Sequence, residues 1–206
     1  MACTDTEEIK TDFLQYEKTE DKVEYLKQVT ETVSKHCNAS IPLRKPEGSE
    51  WKIGGQDVTC YSEDDGTVKE WGIFYLPEIV KMEILGAVEN LPFPTECGQL
   101  VIMLCEDRHV YAYDGEEMHL VASSLKDLFD SGLQYPGFSI YYRGECFKDM
   151  TKADWDKVRQ GKVGRKLEKE HQELLKTLQQ RLKLIQSPQA SDASCNPELR
   201  EPQEVL

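Results

Sequence analysis

The stretch "GQLVIMLCEDRHVYAYDGEEMHLVASSLKDLFDSGL", residues 98–133, decides the fold of this 206-residue chain. It contains a continuous apolar run, residues 100–105, which predicts a buried strand over residues 99–105. A charged turn follows at residues 106–108. The next six residues, "HVYAYD", alternate between small apolar side chains on one face and tyrosines on the other. Two strands joined by a short turn are therefore expected at the centre of the fold.

The second half of this stretch predicts one more strand and a capped helix. Residues 118–122, "MHLVA", follow a glycine turn and fit a short strand. Ser123 or Ser124 then caps a short helix, because Asp127 follows Ser124 at the spacing of a capping box. Gly132 lies where a helix C-terminus favours glycine.

Upstream of this stretch, the sequence predicts two helices and a β-rich region. Residues 4–16 fit a short helix. Residues 20–37 fit a longer one, with apolar side chains every three to four residues and Thr19 as its cap. The following region is interpreted as β-rich, with a hairpin turn at residues 63–66, "EDDG". Residues 79–87 fit either a strand or a short helix.

Downstream, the sequence predicts a last strand, two helices and a tail. The strand is expected in "FSIYYRG", residues 138–144, and Thr151 begins a helix with Asp154 three residues later. Residues 165–186 predict a long amphipathic helix. Its apolar seam consists of Leu167, His171, Leu174, Leu178, Leu182 and Ile185. Residues 187–206 are rich in proline, serine and acidic residues, which predicts a disordered tail.

Together these elements predict an α+β fold with a mostly antiparallel sheet, helices packed to one side and a C-terminal amphipathic helix. The predicted organisation has four regions: an N-terminal segment, an α+β core domain, a C-terminal helical arm and the disordered tail. They span residues 1–19, 20–150, 151–186 and 187–206.

The composition favours a soluble protein with a polarised charge. Charged residues make up 31% of the chain, and the net charge is -13. Residues 156–183 carry nine Lys/Arg and four Asp/Glu, a net +5, which leaves -18 for the rest. An acidic body repels a phosphate backbone, so nucleic acid is not the expected partner. It attracts basic protein surfaces instead.

No signal peptide or membrane span is predicted, because the first residues are acidic and the longest apolar run is short. The cytoplasm, with the nucleus as an alternative, is the expected location. The seven cysteines include no CxxC pair, and we expect reduced, mostly buried thiols there.

Catalytic and metal chemistry has little support in the sequence. A cysteine-dependent enzyme would pair Cys97 or Cys105 with His109 or His119, but no nucleophile signature surrounds them. The same four residues lack the spacing of a zinc finger or ribbon. We therefore expect no catalytic residue, no cofactor and no metal.

Three phrases give the chain a family resemblance. They are "LGAVENL" at residues 85–91, "VYAY" at 110–113 and the "VA-S-L--F---GL" pattern at 121–133. With these phrases, residues 70–145 resemble the core module of the herpesvirus US twenty-two family, part of the wider SUKH superfamily. The resemblance implies an α+β fold without catalytic residues and a binding role in biological conflict. Bacterial superfamily members neutralise toxins, and viral members bind host defence proteins of cell-death and antiviral kinase pathways.

The leading hypothesis is thus a non-enzymatic, intracellular protein-binding module in antiviral defence or immune evasion, whose partner has a basic surface. Two alternatives stay open: a cysteine-dependent enzyme, and an oligomeric adaptor that self-associates through residues 165–186 as a short coiled coil. The predicted contact residues lie in two acidic loops and on the C-terminal helix. They are Asp64, Asp65, Asp114, Glu116, Glu117, Leu174, Leu178 and Leu182.

Overall fold

A computed structural model describes residues 2–95 and 97–186, and it contains one antiparallel sheet with helices around it. Seven strands are hydrogen-bonded in sequence order: β1 (Ser40–Pro42), β2 (Glu50–Ile53), β3 (Met82–Glu89), β4 (Leu100–Cys105), β5 (Val110–Tyr113), β6 (Met118–Ala122) and β7 (Ile140–Tyr141). The helices are α1 (Ala2–Leu14), α2 (Lys22–Lys35), α3 (Asp65–Phe74), α4 (Leu125–Ser131), α5 (Lys152–Gln160) and α6 (Lys162–Gln186). The predicted α+β class and antiparallel sheet are confirmed.

Strand β4 is the centre of the sheet and is buried on both faces along its whole length. Leu100, Ile102 and Leu104 point to one hydrophobic core, while Val101 and Met103 point to a second core on the other face. Because both faces are covered, every position of the strand is apolar, and this explains the continuous run in the sequence.

Helices α1, α2 and α4 cover the first face. Phe13 of α1, Trp51 of β2 and Phe129 of α4 form a triangle of rings with centroids 5.4 to 5.8 Å apart. Ile9 and Phe13 are buried in this core, so α1 is part of the sheet domain.

Helix α3 covers the opposite face of the sheet. Its presence there shows that two predictions are wrong. Residues 63–66 do not form a hairpin turn, and the helices do not all lie on one side of the sheet. Asp64 caps α3 by accepting hydrogen bonds from the amides of Gly66 and Thr67, at 3.1 and 3.0 Å. Val68, Trp71 and Tyr75 then follow at helical spacing and pack on the second core. The β-prone residues of this segment are overridden by the cap and by burial of one helical face.

Residues 79–87 fitted either a strand or a short helix, and the strand β3 forms over Met82–Glu89, with a bulge between Ile84 and Gly86. Gly86 has a φ of 130°, and a Cβ there would collide with the backbone oxygen of Lys52 on β2. This position therefore requires glycine. The cap of α2 is Asp21 instead of Thr19, since the Asp21 carboxylate accepts the Glu24 amide at 2.8 Å.

The chain divides into two compact units at the Met150–Thr151 junction. In the second unit, α5 begins with a capping box between Thr151 and Asp154, and α6 continues after Gly161. The predicted disordered tail, residues 187–206, lies outside the described residues. Among the helices that are described, none is both long and apolar enough to cross a membrane.

Candidate functional site

Several polar contacts of the sheet domain meet at the turn between β5 and β6. Gly115 adopts a φ of 115°, which a side chain would disfavour. The Oδ1 atom of Asp114 accepts hydrogen bonds from the backbone amides of Glu116 and Glu117, at 3.0 and 2.8 Å. These bonds fix the Asp114 carboxylate within the turn and direct its second oxygen away from it.

That second oxygen, Oδ2, meets two side chains. The Tyr135 hydroxyl donates to it at 2.8 Å, and Nε2 of His119 lies 3.0 Å away. Burial alone would raise the pKa of Asp114, but the hydrogen bonds from His119, the two amides and Tyr135 hold this pKa well below its usual range. Asp114 is therefore ionised and faces inward, so it is not the solvated acid that its position in a polar turn predicted.

From the sequence, His119 is a candidate partner of a cysteine nucleophile, and the structure places it in a different setting. It is 2% exposed, and its ring packs against Tyr135 with centroids 4.7 Å apart. Its Nε2 atom also lies 3.7 Å from Oε2 of Glu117. Within the described part of the chain, its Nδ1 atom is buried without a hydrogen-bond partner. A histidine, two carboxylates and a tyrosine thus meet at the start of β6.

An apolar groove of about 450 Å³ lies beside this network. Tyr135 belongs to both, because its ring stacks on Phe93 at 4.4 Å and lines the groove while its hydroxyl reaches Asp114. Phe138, at 58% exposure, lies on the rim. The segments "LPFP" and "QYPGF" contribute to the lining of the groove. Their proline and aromatic residues are the feature of the sequence that could have indicated the groove.

Glu116 is the exposed acid of the turn. It lines a smaller cleft together with Pro94, Thr95 and Asp114. Glu117 is partly exposed and also contacts the hydroxyl of Tyr142. Of the three acids predicted as contact residues in this loop, Glu116 alone is exposed. The Glu117 side chain is partly exposed and also lies near His119.

The other predicted acidic loop has a structural role at Asp64. Its carboxylate accepts hydrogen bonds from the Thr67 hydroxyl at 2.7 Å and from two amides of α3, and these bonds lower its pKa. Asp65 is the first residue of α3, and its side chain lies outside the described ones. Replacing Asp64 would therefore change helix stability as well as surface charge.

The predicted contact residues on the C-terminal helix lie in the second unit. Leu174, Leu178 and Leu182 on α6 are 56%, 45% and 55% exposed. Their spacing of four residues places them along one side of the helix. The structure therefore separates the predicted residues into the acidic turn, the cap of α3 and the apolar side of α6.

The cysteines do not match the expectation of reduced, mostly buried thiols. Cys60 and Cys97 are joined by a disulfide with Cα atoms 6.5 Å apart, and Cys37 is exposed. The two bonded residues lie 37 positions apart in the sequence. Only the tertiary arrangement of two loops brings them together, and sequence spacing does not reveal such a pair.

The cysteine and histidine residues considered for a catalytic pair do not form such a pair either. Burial raises the pKa of the Cys105 thiol to about 12, and the neighbouring Asp107 carboxylate adds to this effect. The His109 ring is held by Asp107 through Nδ1 at 3.0 Å. Cys105 packs in the core under α3, while His119 reaches Asp114 and Tyr135 at the other side of the sheet. The zinc set that was weighed from sequence is therefore not formed.

Comparisons with known proteins agree with the resemblance noted in the sequence. A family model described as US22 like matches residues 23–139, more than half of the chain. The uncharacterized protein 005R of Frog virus 3 is 30% identical over 151 residues, which cover 71% of this chain and 70% of that protein. The uncharacterized gene 87 protein of Gallid herpesvirus 2 is 30% identical over 61% of this chain and 70% of its own length.

A third relative, the uncharacterized protein FPV250 of Fowlpox virus, is 29% identical over 41% of this chain and 60% of its own. No solved structure matches the chain. Frog virus 3, Gallid herpesvirus 2 and Fowlpox virus thus each have a protein similar to this chain.

Proposed function

The chain belongs to the US22-like family, and from that premise we propose that it is a non-enzymatic protein-binding module that acts between a virus and host defence. The relatives are proteins of viruses, which supports a role in immune evasion. The cytoplasm is the proposed place of action, in keeping with the acidic, highly charged composition.

The observation that carries the proposal is the apolar groove beside the acidic turn. Its walls include Phe93, Tyr135 and Leu133, and the exposed Phe138 lies on its rim. Exposed aromatic side chains in a concave surface are typical of protein contact sites. Glu116 lies exposed in the neighbouring turn and supplies a negative charge.

This arrangement indicates the chemistry of the partner. An apolar or aromatic side chain would fill the groove, and a lysine or arginine next to it would meet Glu116. The net charge of -13 would attract such a basic segment over a distance and speed the encounter.

The proposed absence of catalysis is supported by the state of the cysteines. Cys97 is bonded to Cys60, and the Cys105 thiol has a pKa of about 12, so neither supplies a thiolate near neutral pH. The His119 ring is engaged by the carboxylates of Asp114 and Glu117, at 3.0 and 3.7 Å from its Nε2 atom.

The test compares partner capture by the tagged full chain and three variants. Phe138→Ala removes the rim aromatic, Glu116→Gln removes the exposed charge, and Ile79→Ala removes an even more exposed apolar residue outside the groove. A stoichiometric partner is expected with the natural chain and with Ile79→Ala, and it should be lost with Phe138→Ala.

The purified partner then allows an affinity measurement. Loss of a central aromatic contact is expected to weaken binding by about tenfold or more, and Glu116→Gln should make the affinity less dependent on salt. A partner that binds all four proteins equally would show that the groove is not the contact surface. Absence of any partner would return attention to the alternatives of an enzyme or an oligomeric adaptor.

A further inference from the structure

We propose that Asp114, Glu117 and His119 form a binding site for a divalent transition-metal ion of the Zn²⁺ class. This inference is independent of the proposed partner binding, because it concerns the inward side of the turn and not the groove. It also differs from the cysteine-histidine set considered from sequence, since no thiol takes part.

The geometry of the three side chains is that of metal ligands. One donor atom from each lies within 4.8 Å of the other two. Nε2 of His119 is 3.0 Å from Oδ2 of Asp114 and 3.7 Å from Oε2 of Glu117. Donor atoms at about 2.0–2.2 Å from a tetrahedral Zn²⁺ lie roughly 3.4 Å from one another. The two separations from Nε2 lie on either side of that value, so small side-chain movements would bring these donor atoms to the spacing of zinc ligands.

A hydrogen bond between His119 and Asp114 does not account for the position of Glu117 beside them. The Nε2 atom of His119 is within hydrogen-bond distance of Asp114, at 3.0 Å, but Glu117 at 3.7 Å lies beyond that distance. A divalent ion would bind Nε2 and both carboxylates at once, and it would cancel the two negative charges that meet there.

The surrounding structure holds the ligands in place. Asp114 and Glu117 are the first and last residues of a tight turn, and the amide of Asp114 donates to the carbonyl of Glu117 at 3.3 Å. The hydroxyl of Tyr135 donates to Asp114 at 2.8 Å, and that of Tyr142 hydrogen-bonds to Glu117. Such bonds to the ligand carboxylates orient them and typically strengthen metal binding.

The site is open to an ion from solvent. The Glu117 side chain is 29% exposed, while His119 lies at the buried end of the cluster. A cleft lined by Pro94, Thr95, Asp114 and Glu116 opens beside the turn. Three protein ligands would leave one coordination position of a tetrahedral ion free, as in zinc sites that keep an open position.

The test uses two matched variants of the full chain, Glu117→Gln and Glu116→Gln. Both remove one negative charge from the same turn, but only Glu117 belongs to the ligand cluster. His119→Ala is unsuitable as the sole variant, because it would leave a cavity next to the core. Zn²⁺ binding is measured by titration calorimetry in the presence of excess Mg²⁺, and Co²⁺ absorption reports the ligand geometry.

The natural chain and Glu116→Gln should bind one Zn²⁺ with equal affinity, and Glu117→Gln should bind it about tenfold or more weakly. The visible spectrum of bound Co²⁺ should lack a thiolate charge-transfer band, which excludes binding by the exposed Cys37. No binding by the natural chain, or an equal loss in both variants, would overturn the proposal. Neither result would bear on partner binding in the groove.

Discussion

Arg108 shows how one side chain joins distant parts of the chain. It lies in the turn between β4 and β5, with a φ of 72° that is unusual for a residue with a side chain. Its guanidinium donates hydrogen bonds to the carbonyl oxygens of Glu17 and Thr19 in the α1–α2 connection. It also lies over the buried ring of Tyr25, 4.7 Å from the centroid. The sheet and the first two helices are thus linked by a single cation.

Replacement of Arg108 should therefore destabilise the sheet domain. Arg108→Ala removes two charge-assisted hydrogen bonds and a cation–π contact, and we expect a loss of about 2–3 kcal/mol in the free energy of unfolding. Arg108→Lys keeps the charge but not the two-pronged geometry, so its loss should be intermediate. Urea unfolding followed by tryptophan fluorescence measures both. An unchanged midpoint for Arg108→Ala would contradict this account.

Thiol reactivity is a second property decided by single residues. Cys105 is buried with a pKa of about 12, whereas Cys37 is exposed. We expect iodoacetamide at pH 8 to label Cys37 in the folded chain and to leave Cys105 unmodified until urea unfolds it. Peptide mass spectrometry gives the rate at each site. Fast labelling of Cys105 would support the alternative of a cysteine-dependent enzyme.

At the scale of elements, Asp130 ties helix α1 to helix α4. Its carboxylate binds Lys10 of α1 at 2.6 Å and Lys126 of its own helix at 2.5 Å. The hydrogen bond from Lys10, followed by that from Lys126, lowers the pKa of Asp130 to about 2. Because this pKa is lower in the folded protein than in the unfolded chain, its contribution is present above about pH 4 and is lost as the pH falls towards 2.

Helix α1 should therefore become less protected in acid. Amide hydrogen-exchange protection factors of α1 are expected to fall between about pH 4 and pH 2 in the natural chain. In Asp130→Asn, protection should already be lower at pH 6 and should change less over that interval. The amides of β4 serve as an internal reference. Equal pH profiles for the two proteins would show that this ion pair does not hold α1.

Helix α3 approaches the backbone of the segment before β3 closely at Gly72. The carbonyl of Gly72 accepts a hydrogen bond from the amide of Val80 at 2.9 Å, and a Cβ at position 72 would overlap the carbonyl oxygen of Val80. Alanine normally favours a helix over glycine, by about 1 kcal/mol. Here the steric conflict is expected to reverse that preference.

Gly72→Ala should thus destabilise the protein by about 1–3 kcal/mol, because α3 must move away from the segment at Val80. Lys69→Ala, at an exposed position of the same helix, should change stability by less than about 0.5 kcal/mol. Denaturant unfolding of both variants tests the packing of α3. A stabilised Gly72→Ala protein would indicate that α3 does not contact the segment at Val80.

At the scale of the whole molecule, the hydrophobic cores lie entirely in the first unit. The buried residues of the two clusters run from Ile9 to Leu133, and the partly buried residues around them end at Tyr141. The second unit instead presents exposed leucines on α6, including Leu174 and Leu178. A chain that ends at residue 150 therefore contains every described residue that builds the sheet domain.

We expect residues 1–150 to fold alone, with the same unfolding midpoint in urea as the sheet domain of the full chain. Light scattering of the two proteins tests the adaptor alternative. If the exposed leucines of α6 join two copies, the full chain will have twice the mass of a monomer and the shortened chain will not. A shortened chain without cooperative unfolding would contradict the independence of the first unit.

The sequence by itself determined those features that depend on residues close together in the chain. The alternation in β5 and the apolar run of β4 come from local periodicity, and they are found where predicted. The cap of α4 at Ser124 and its end at Gly132 are also confirmed, since each depends on hydrogen bonds across three or four residues. The resemblance to the US22 family rests on the same local phrases, and this part of the resemblance is confirmed by the family match.

Only the tertiary structure decided the identity of α3 and the composition of the candidate site. The α3 segment has β-prone residues, and burial of Trp71 against the sheet outweighed that preference. Asp114 faces inward because Tyr135, 21 residues later, donates to it, and the groove forms where loops from separate parts of the chain meet. Such features depend on contacts between residues that are distant in sequence, and local sequence patterns do not predict those contacts.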